Sequence, residues 1–303
     1  MNVLVTGGAG FIGSHLCEEI LNRGHSVTCI DNLSTGFKKN IQGLKGDFEF
    51  IKANINSPSS LNKLKGRQFD QVFHYAAIVG VDRTLINPEE VLEDKKGIKN
   101  ILEFAVSCRA KKLIYASSSE VYGEPLAIPQ KEDSNLNGQI PYSKVNLFGE
   151  QLLQRYYSEF GLKTLALRLF NVYGPRQDSD NFVVGKMIKT SLASKPLEVF
   201  GSGNQTRDFV FIKDNVRASL LAADCEKFYN IAINIGTGIE TSIIKLAESI
   251  NNLTSNKKPI THLEKREYEI SRRCAAVDKL NIFTGFKPEY NLERGLRETI
   301  QSY

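Results

Sequence analysis

The stretch "VLVTGGAGFIGSHL", residues 3–16, decides how the rest of the chain reads. Val3–Thr6 run as a short apolar strand. Gly7, Gly10 and Gly13 follow at a turn and at the opening of an amphipathic stretch, 11–23. Glycines at this spacing allow a tight turn, a close approach of backbone to an anion, and close packing of helix on strand. The helix N-terminus then faces the anion with free N–H groups and the positive end of its dipole. A glycine-rich match alone also fits an ordinary strand–helix turn, but the context is specific. Asp31 stands at the end of the next strand, eighteen residues after Gly13. A carboxylate there accepts hydrogen bonds from ribose hydroxyls and repels a 2′-phosphate, and Asn32 and Leu33 beside it include no arginine to welcome one. The ligand expected at this turn is NAD rather than NADP.

Outward from the turn, "SVTCI", "FEFIKA", "QVFHYAA", "KLIYASSS" and "TLALRLF" read as strands, with helical patterns such as 88–108 and 142–160 between most of them. Strand–helix alternation with strands apolar on both faces predicts an α/β fold, a Rossmann-type doubly wound parallel sheet. Beyond about residue 170 the pattern loosens. "PLEVFGSGNQTRDFVFI" reads as a strand pair around a glycine-rich turn, and Asp214 as the N-cap of the helix in "DNVRASLLAAD". The expected division places residues 1–170, with about 209–235, in an NAD-binding domain. Residues 171–208 and 236–303 then form a smaller, partly interleaved C-terminal substrate lobe.

Composition narrows the function classes. A net charge of +5 with basic residues spread along the chain reads as a solvated surface, so no nucleic-acid partner is expected. Five scattered cysteines without a CxxC read as reduced thiols of a cytoplasmic protein. Four dispersed histidines offer no metal-ligand spacing. The chain passes from Met1 directly into its first strand, with no signal peptide expected, and no apolar run approaches the roughly 18 residues of a membrane helix.

Several motifs then occur in a fixed order: "TGGAGFIG", "DNLSTG", "HYAA", "YASSSEVYGEP", "PYSKVNLFGE", "LRLFNVYGPRQ", "RDFVFIKD" and "NIGTG". In order and spacing they resemble the extended short-chain dehydrogenases, the nucleotide-sugar epimerases, dehydratases and decarboxylases, over essentially the whole chain. The resemblance implies chemistry that starts with oxidation of a sugar C4 hydroxyl by tightly bound NAD. A tyrosine takes the hydroxyl proton, and a neighbouring Ser or Thr hydrogen-bonds the same oxygen. By position Tyr142 is the base and Ser118 its hydroxyl partner. The resemblance lays NAD along Gly7, Gly10, Phe11, Ile12, Gly13, Asp31, Asn32, Ser34, Asn54, Ile55, Tyr75, Ala76 and Ala77, with Tyr142 and Asn146 at the nicotinamide end. Asn171 and Arg207, with Ser118, are implied for the nucleotide sugar, a UDP-sugar being the commonest in the family. Arg266 is a further candidate, although its usual Arg-x-Gly-Asp/Glu context reads "REYE" here, and Arg272 and Arg273 are alternatives. A homodimer through a four-helix bundle near 88–108 and 142–160 is implied as well.

Two positions depart from the family pattern. A lysine normally sits four residues after the tyrosine, lowering its pKa by charge and holding the nicotinamide ribose. Here that place is Asn146, which hydrogen-bonds but brings no charge. Lys144, two residues on, lies roughly 200° around an ideal helix and points elsewhere. Glu120 occupies a position that is Glu in dehydratases and sugar-acid decarboxylases, where it acts as an acid or base. Decarboxylases carry an arginine where "NFVVGK" has Phe182. The leading expectation is an NAD-dependent nucleotide-sugar C4 epimerase. A 4,6-dehydratase or decarboxylase (Glu120) and a catalytically impaired NAD- and nucleotide-sugar-binding protein (Asn146) remain as alternatives.

Overall fold

Strand β1 (Asn2–Thr6) is buried from Val3 to Thr6 and lies inside a seven-stranded sheet of order β10-β6-β5-β4-β1-β2-β3. The computed structural model describes residues 1–80, 84, 86–266 and 269–303. The other strands of this sheet are β2 (Ser26–Asp31), β3 (Phe48–Lys52), β4 (Gln71–His74), β5 (Lys112–Ser118), β6 (Lys163–Leu169) and β10 (Ile231–Ile235). β1 pairs in parallel with β2 and β4, β2 with β3, and β4 with β5. The order reverses between β1 and β4, which makes the carboxyl end of β1 the switch point where doubly wound sheets bind ligands.

The helices begin and end where their sequences dictate. α1 (Phe11–Asn22) starts behind Gly10. α2 (Pro88–Ser107) opens with proline and carries Glu89 and Glu90 in its first turn, complementing the helix dipole. α3 (Pro141–Phe160) also opens with proline and stops at Gly161, whose φ of 68° is left-handed. Apolar residues of α2 (Ile98, Ile101, Leu102) and α3 (Val145, Leu153) share one buried cluster with Leu4, Ile30, Val72, Leu113 and Tyr115 of the sheet. No helix among the described residues is long and apolar enough to cross a membrane.

The chain divides into two compact units. The first comprises 1–121, 138–168 and 219–233, and the second 122–137, 169–218 and 234–303. Segment 122–137 groups with the second unit because Gln130 forms a β-bridge to Ala275 and Glu124 accepts the Ser271 amide at 2.9 Å. The second unit contains β7 (Asn171–Tyr173), α4 (Val183–Leu192), β8 (Leu197–Phe200), β9 (Thr206–Phe211), the start of α5 (Ile212–Asp224), β11 (Glu240–Ser242), α6 (Ile243–Thr254), β12 (Ile260–Leu263), α7 (Asp278–Thr284) and α8 (Leu292–Ile300).

Two local expectations fail here. β8 and β9 do not pair with each other: β8 runs parallel to β12, while β9 joins β7 and β11. The connection between them holds two left-handed glycines, Gly201 and Gly203 (φ 60° and 77°), and it redirects the chain instead of closing a hairpin. Asp214 is not an N-cap, because α5 starts two residues earlier. Its buried carboxylate accepts the amides of Glu289 and Tyr290 at 2.9 and 2.8 Å, so it ties down the segment entering α8.

Candidate active site and cofactor cradle

The glycine turn is built to be approached closely. Gly7 has φ +74°, and a Cβ on it would fall 2.6 Å from the Ala76 amide nitrogen. A Cβ on Gly13 would run into the Gly7 carbonyl oxygen. Turn, helix and the "HYAA" segment after β4 therefore meet with no room for a side chain. Gly10 precedes α1 with extended backbone and no side-chain cap, and the first helical turn carries no acid. Ser14 is the first amide to bond back into the helix, to Gly10 O at 3.1 Å. The amides of Phe11, Ile12 and Gly13 lack intrahelical acceptors and are left for an anion, as a pyrophosphate requires.

Asp31 ends β2 and is 7% exposed. Its Oδ2 accepts the Ala9 amide at 3.0 Å and its Oδ1 the Leu33 amide at 2.7 Å. Burial raises its pKa, and these two amides pull it back. The bonds fix the carboxylate beside the glycine turn while leaving lone pairs for ribose hydroxyls. Asn32 and Ser34 are exposed next to it, with the Ser34 amide donating to Asn32 Oδ1 at 2.9 Å. After β3, Asn54 is exposed and Ile55 buried, the Ile55 carbonyl accepting Asn100 Nδ2 at 2.8 Å. Tyr75, Ala76 and Ala77 are all partly buried. The unfilled helix end, the close-approach turn and the fixed carboxylate together fit a dinucleotide without a 2′-phosphate.

Ser118 ends β5, and its Oγ accepts the Glu120 amide at 3.2 Å. That bond occupies an oxygen lone pair and leaves the hydroxyl proton to donate. Tyr142, in the first turn of α3, is partly exposed, and the Ser118 side chain bears on its phenol. Its phenol is pushed above the ordinary tyrosine value, first by burial and then by the negative charges of Glu120 and Asp94; Asn146 and Ser118 pull it back down. Asn146 lies on the same helix face and is only 2% exposed. Its Nδ2 donates to the Tyr142 carbonyl at 2.9 Å, and its Oδ1 accepts the Tyr115 hydroxyl at 3.2 Å. Lys144 is exposed, as its place on the helix predicts.

Two members of this cluster escape a reading by sequence. Asp94, in α2, sits amid charged residues that look like a solvated face. Its Oδ2 nevertheless accepts the Ile78 amide at 2.7 Å, and burial pushes its pKa to about 6. Tyr115 reads as an ordinary strand aromatic, yet it reaches across to α3. The signal available was Gly149, seven residues after Tyr142: glycine inside a helix often marks a close approach.

In the second unit, Asn171 opens β7, and among the described residues none hydrogen-bonds its buried Oδ1. Arg207, on β9, is partly buried, with Nη1 donating to the carbonyls of Thr206 and Ile270 at 2.8 Å each. The Arg266 guanidinium lies 4.2 Å from the Phe200 ring centroid, a cation–π contact; Glu267 and Tyr268, which complete its altered context, lie outside the described residues. Arg272 is engaged by Glu240, Nε to Oε1 at 3.0 Å, and Arg273 is 2% exposed. Phe182 stands just before α4 in extended conformation and makes no side-chain cap.

With this geometry in hand, comparison with known proteins is specific. The model of the NAD dependent epimerase/dehydratase family matches residues 3–236. A UDP-N-acetyl-alpha-D-glucosaminuronate decarboxylase of Bacillus cytotoxicus is 38% identical, covering 98% of this chain and 96% of its own. A UDP-glucose 4-epimerase of Mycolicibacterium smegmatis is 32% identical, covering 100% and 98%. The crystal structure of UDP-glucose 4-epimerase with UDP-glucose from Thermotoga maritima superposes with a TM-score of 0.94 at 32% identity, covering 100% of this chain and 98% of that one.

Proposed function

This chain belongs to the NAD-dependent epimerase/dehydratase family, and on that premise we propose that it is a nucleotide-sugar C4 epimerase. The observation that carries the reading is the Ser118–Tyr142 pair, held in the unit that bears the glycine turn. For its proton transfers epimerisation asks for this much: a group to accept and return the C4 hydroxyl proton, and a donor to orient the oxygen. The glycine turn and Asp31 would hold NAD, which would supply the acceptor for the C4 hydride and its return to the opposite face of the turned 4-keto sugar. Ser118 donates to the C4 oxygen, its own acceptor side held by the Glu120 amide. Tyr142 takes the hydroxyl proton and later gives it back. With the Ser118 proton on the C4 oxygen, Asn146 is left to offset the burial that raises the Tyr142 pKa, in place of a fixed cation. Arg207 suits the diphosphate because a guanidinium fork matches paired phosphate oxygens, and Asn171 suits a hydroxyl of the bound ligand. Helices α2 and α3, in mutual contact, would supply each subunit's half of a four-helix dimer bundle.

Glu120 favours a second reading, 4,6-dehydration or decarboxylation, since its charge already bears on Tyr142. Phe182, an apolar ring where an arginine would meet a substrate carboxylate, speaks against the decarboxylase. Incubation of the pure protein with UDP-, GDP-, CDP- and dTDP-sugars, read by NMR of the products, tests the proposal. A C4 epimer is expected. A 4-keto-6-deoxy sugar or released CO₂ refutes epimerisation, and no turnover with NAD bound refutes an enzymatic role.

A further inference from the structure

Asn146 poses a problem of orientation. A carboxamide presents N–H groups on one side and an acceptor oxygen on the other, and a half-turn exchanges them. With an N–H toward the Tyr142 phenolic oxygen it favours the phenolate; with the carboxamide oxygen there it opposes it. A lysine in this place needs no such control, because an ammonium donates in every direction.

The surroundings impose the choice. The Asn146 Nδ2 donates to the Tyr142 carbonyl at 2.9 Å, and the Oδ1 accepts the Tyr115 hydroxyl at 3.2 Å. Turning the amide over would set Oδ1 against a carbonyl oxygen and Nδ2 against the Tyr115 hydroxyl, costing Tyr115 its acceptor in a site where it is 4% exposed. Tyr115 stays a phenol, because burial first, then the charges of Tyr142, Glu150 and Asp94, raises its pKa well above the ordinary value. Its ring is held on both sides. A Cβ at Gly149 would fall 2.6–2.7 Å from the ring's outer atoms and hydroxyl, so α3 keeps a glycine where the ring crosses it. His74 stacks on the other side, with centroids 5.7 Å apart and planes at 24°. Burial keeps His74 neutral, with its pKa pushed down to about 3, and its Nδ1 lies 2.7 Å from Thr6 Oγ1 at the end of β1.

We propose that Tyr115 is a positioning residue: by donating to Asn146 Oδ1 it holds the carboxamide with Nδ2 on the Tyr142 main-chain carbonyl, and so fixes which side of a neutral asparagine meets the phenol where a cation is usual. The role it confers rests on the epimerase reading, with Tyr142 as base, but the geometry can be tested without turnover. The other groups bearing on Tyr142 are Ser118 from β5, Glu120 from the turn after it, and Asp94 from α2; all are unchanged in the variants below.

The test titrates Tyr142 in the NAD-loaded protein by 13C NMR of ring-labelled tyrosine, its signal assigned as the one absent from Tyr142→Phe. Tyr115→Phe removes the hydroxyl and keeps the ring. The Tyr142 midpoint is expected to rise by about one pH unit, a tenfold loss of phenolate. In an Asn146→Ala background the same change is expected to move it by less than about a third of a unit. An unmoved midpoint in the single variant overturns the proposal, and so does an equal shift in both backgrounds. If the phenol titrates beyond the range in which the fold survives, exchange of the Asn146 side-chain amide protons reads the same lock. Tyr115→Phe is then expected to speed exchange at least about fivefold, and unchanged exchange overturns the proposal. Should Tyr115→Phe fail to fold, 4-fluorophenylalanine at 115, which fills the para position without donating, takes its place under the same criteria. Turnover is measured separately, so loss of the epimerase reading and loss of the lock give different results.

Discussion

A Tyr142→Phe protein is expected to lose about 10³-fold in kcat on its nucleotide sugar, with KM changed by less than about threefold. The substitution removes one oxygen and keeps the ring. It deletes the group that accepts the C4 hydroxyl proton and leaves the glycine turn and Asp31 intact. The pH profile carries the companion result. The phenolate is the active form of a base, and the Tyr142 pKa is raised by burial and by the charges of Glu120 and Asp94. Activity should therefore climb as pH rises above neutrality, by about tenfold in kcat/KM per pH unit until the pKa is reached. Asp94, with a pKa near 6, is ionised over that range and holds the limb toward higher pH. Initial rates of both proteins across pH 6–10 give both results; a variant within tenfold of wild type removes Tyr142 from the role of base.

Arg168→Met is expected to destabilise the protein by about 3–5 kcal/mol. Glu150 lies on α3, eight residues past Tyr142, and Arg168 on β6. They form a two-point ion pair, with Nε to Oε1 at 3.0 Å and Nη2 to Oε2 at 2.7 Å, at side-chain exposures of 4% and 10%. Ser117 of β5 adds its hydroxyl to Oε1 at 2.6 Å. These bonds pin α3, the helix that carries Tyr142, to β6 and to β5 at Ser117, the residue before Ser118. Removing the guanidinium alone leaves a buried carboxylate with one hydroxyl for company. Pairing Arg168→Met with Glu150→Leu removes both charges and is expected to recover most of the loss. Chemical denaturation of the three proteins measures this; a single variant within about 1 kcal/mol of wild type would mean that the pair does not hold the helix.

Much of this architecture could be read from residues close together in sequence. The glycine turn, Asp31 and the alternation of strands with helices announce themselves within windows of ten to thirty residues, and the sheet follows from them. Ser118 and Tyr142 are expected from the family resemblance alone, and they lie at the end of β5 and in the first turn of α3. What was not legible depends on contacts between distant segments. Tyr115 and Asn146 are 31 residues apart and meet only because β5 and α3 pack together. Asp94 reads as a surface acid until the Ile78 amide is found on its carboxylate. The strands β8 and β9 look like a hairpin because sequence gives their adjacency and not their partners. Asp214 looks like a cap because a carboxylate near a helix start usually is one, whereas here amides 75 and 76 residues away claim it.

The central claim is that a sugar C4 centre is oxidised and then restored at the same carbon. It is tested most directly with a nucleotide sugar carrying deuterium at C4, incubated with the NAD-loaded protein and followed by NMR. The account predicts a C4 epimer that keeps its deuterium at C4. Deuterium at C6 of a 4-keto-6-deoxy product would mark dehydration, and deuterium retained at C4 of a pentose formed with CO₂ would mark decarboxylation; either result contradicts the account.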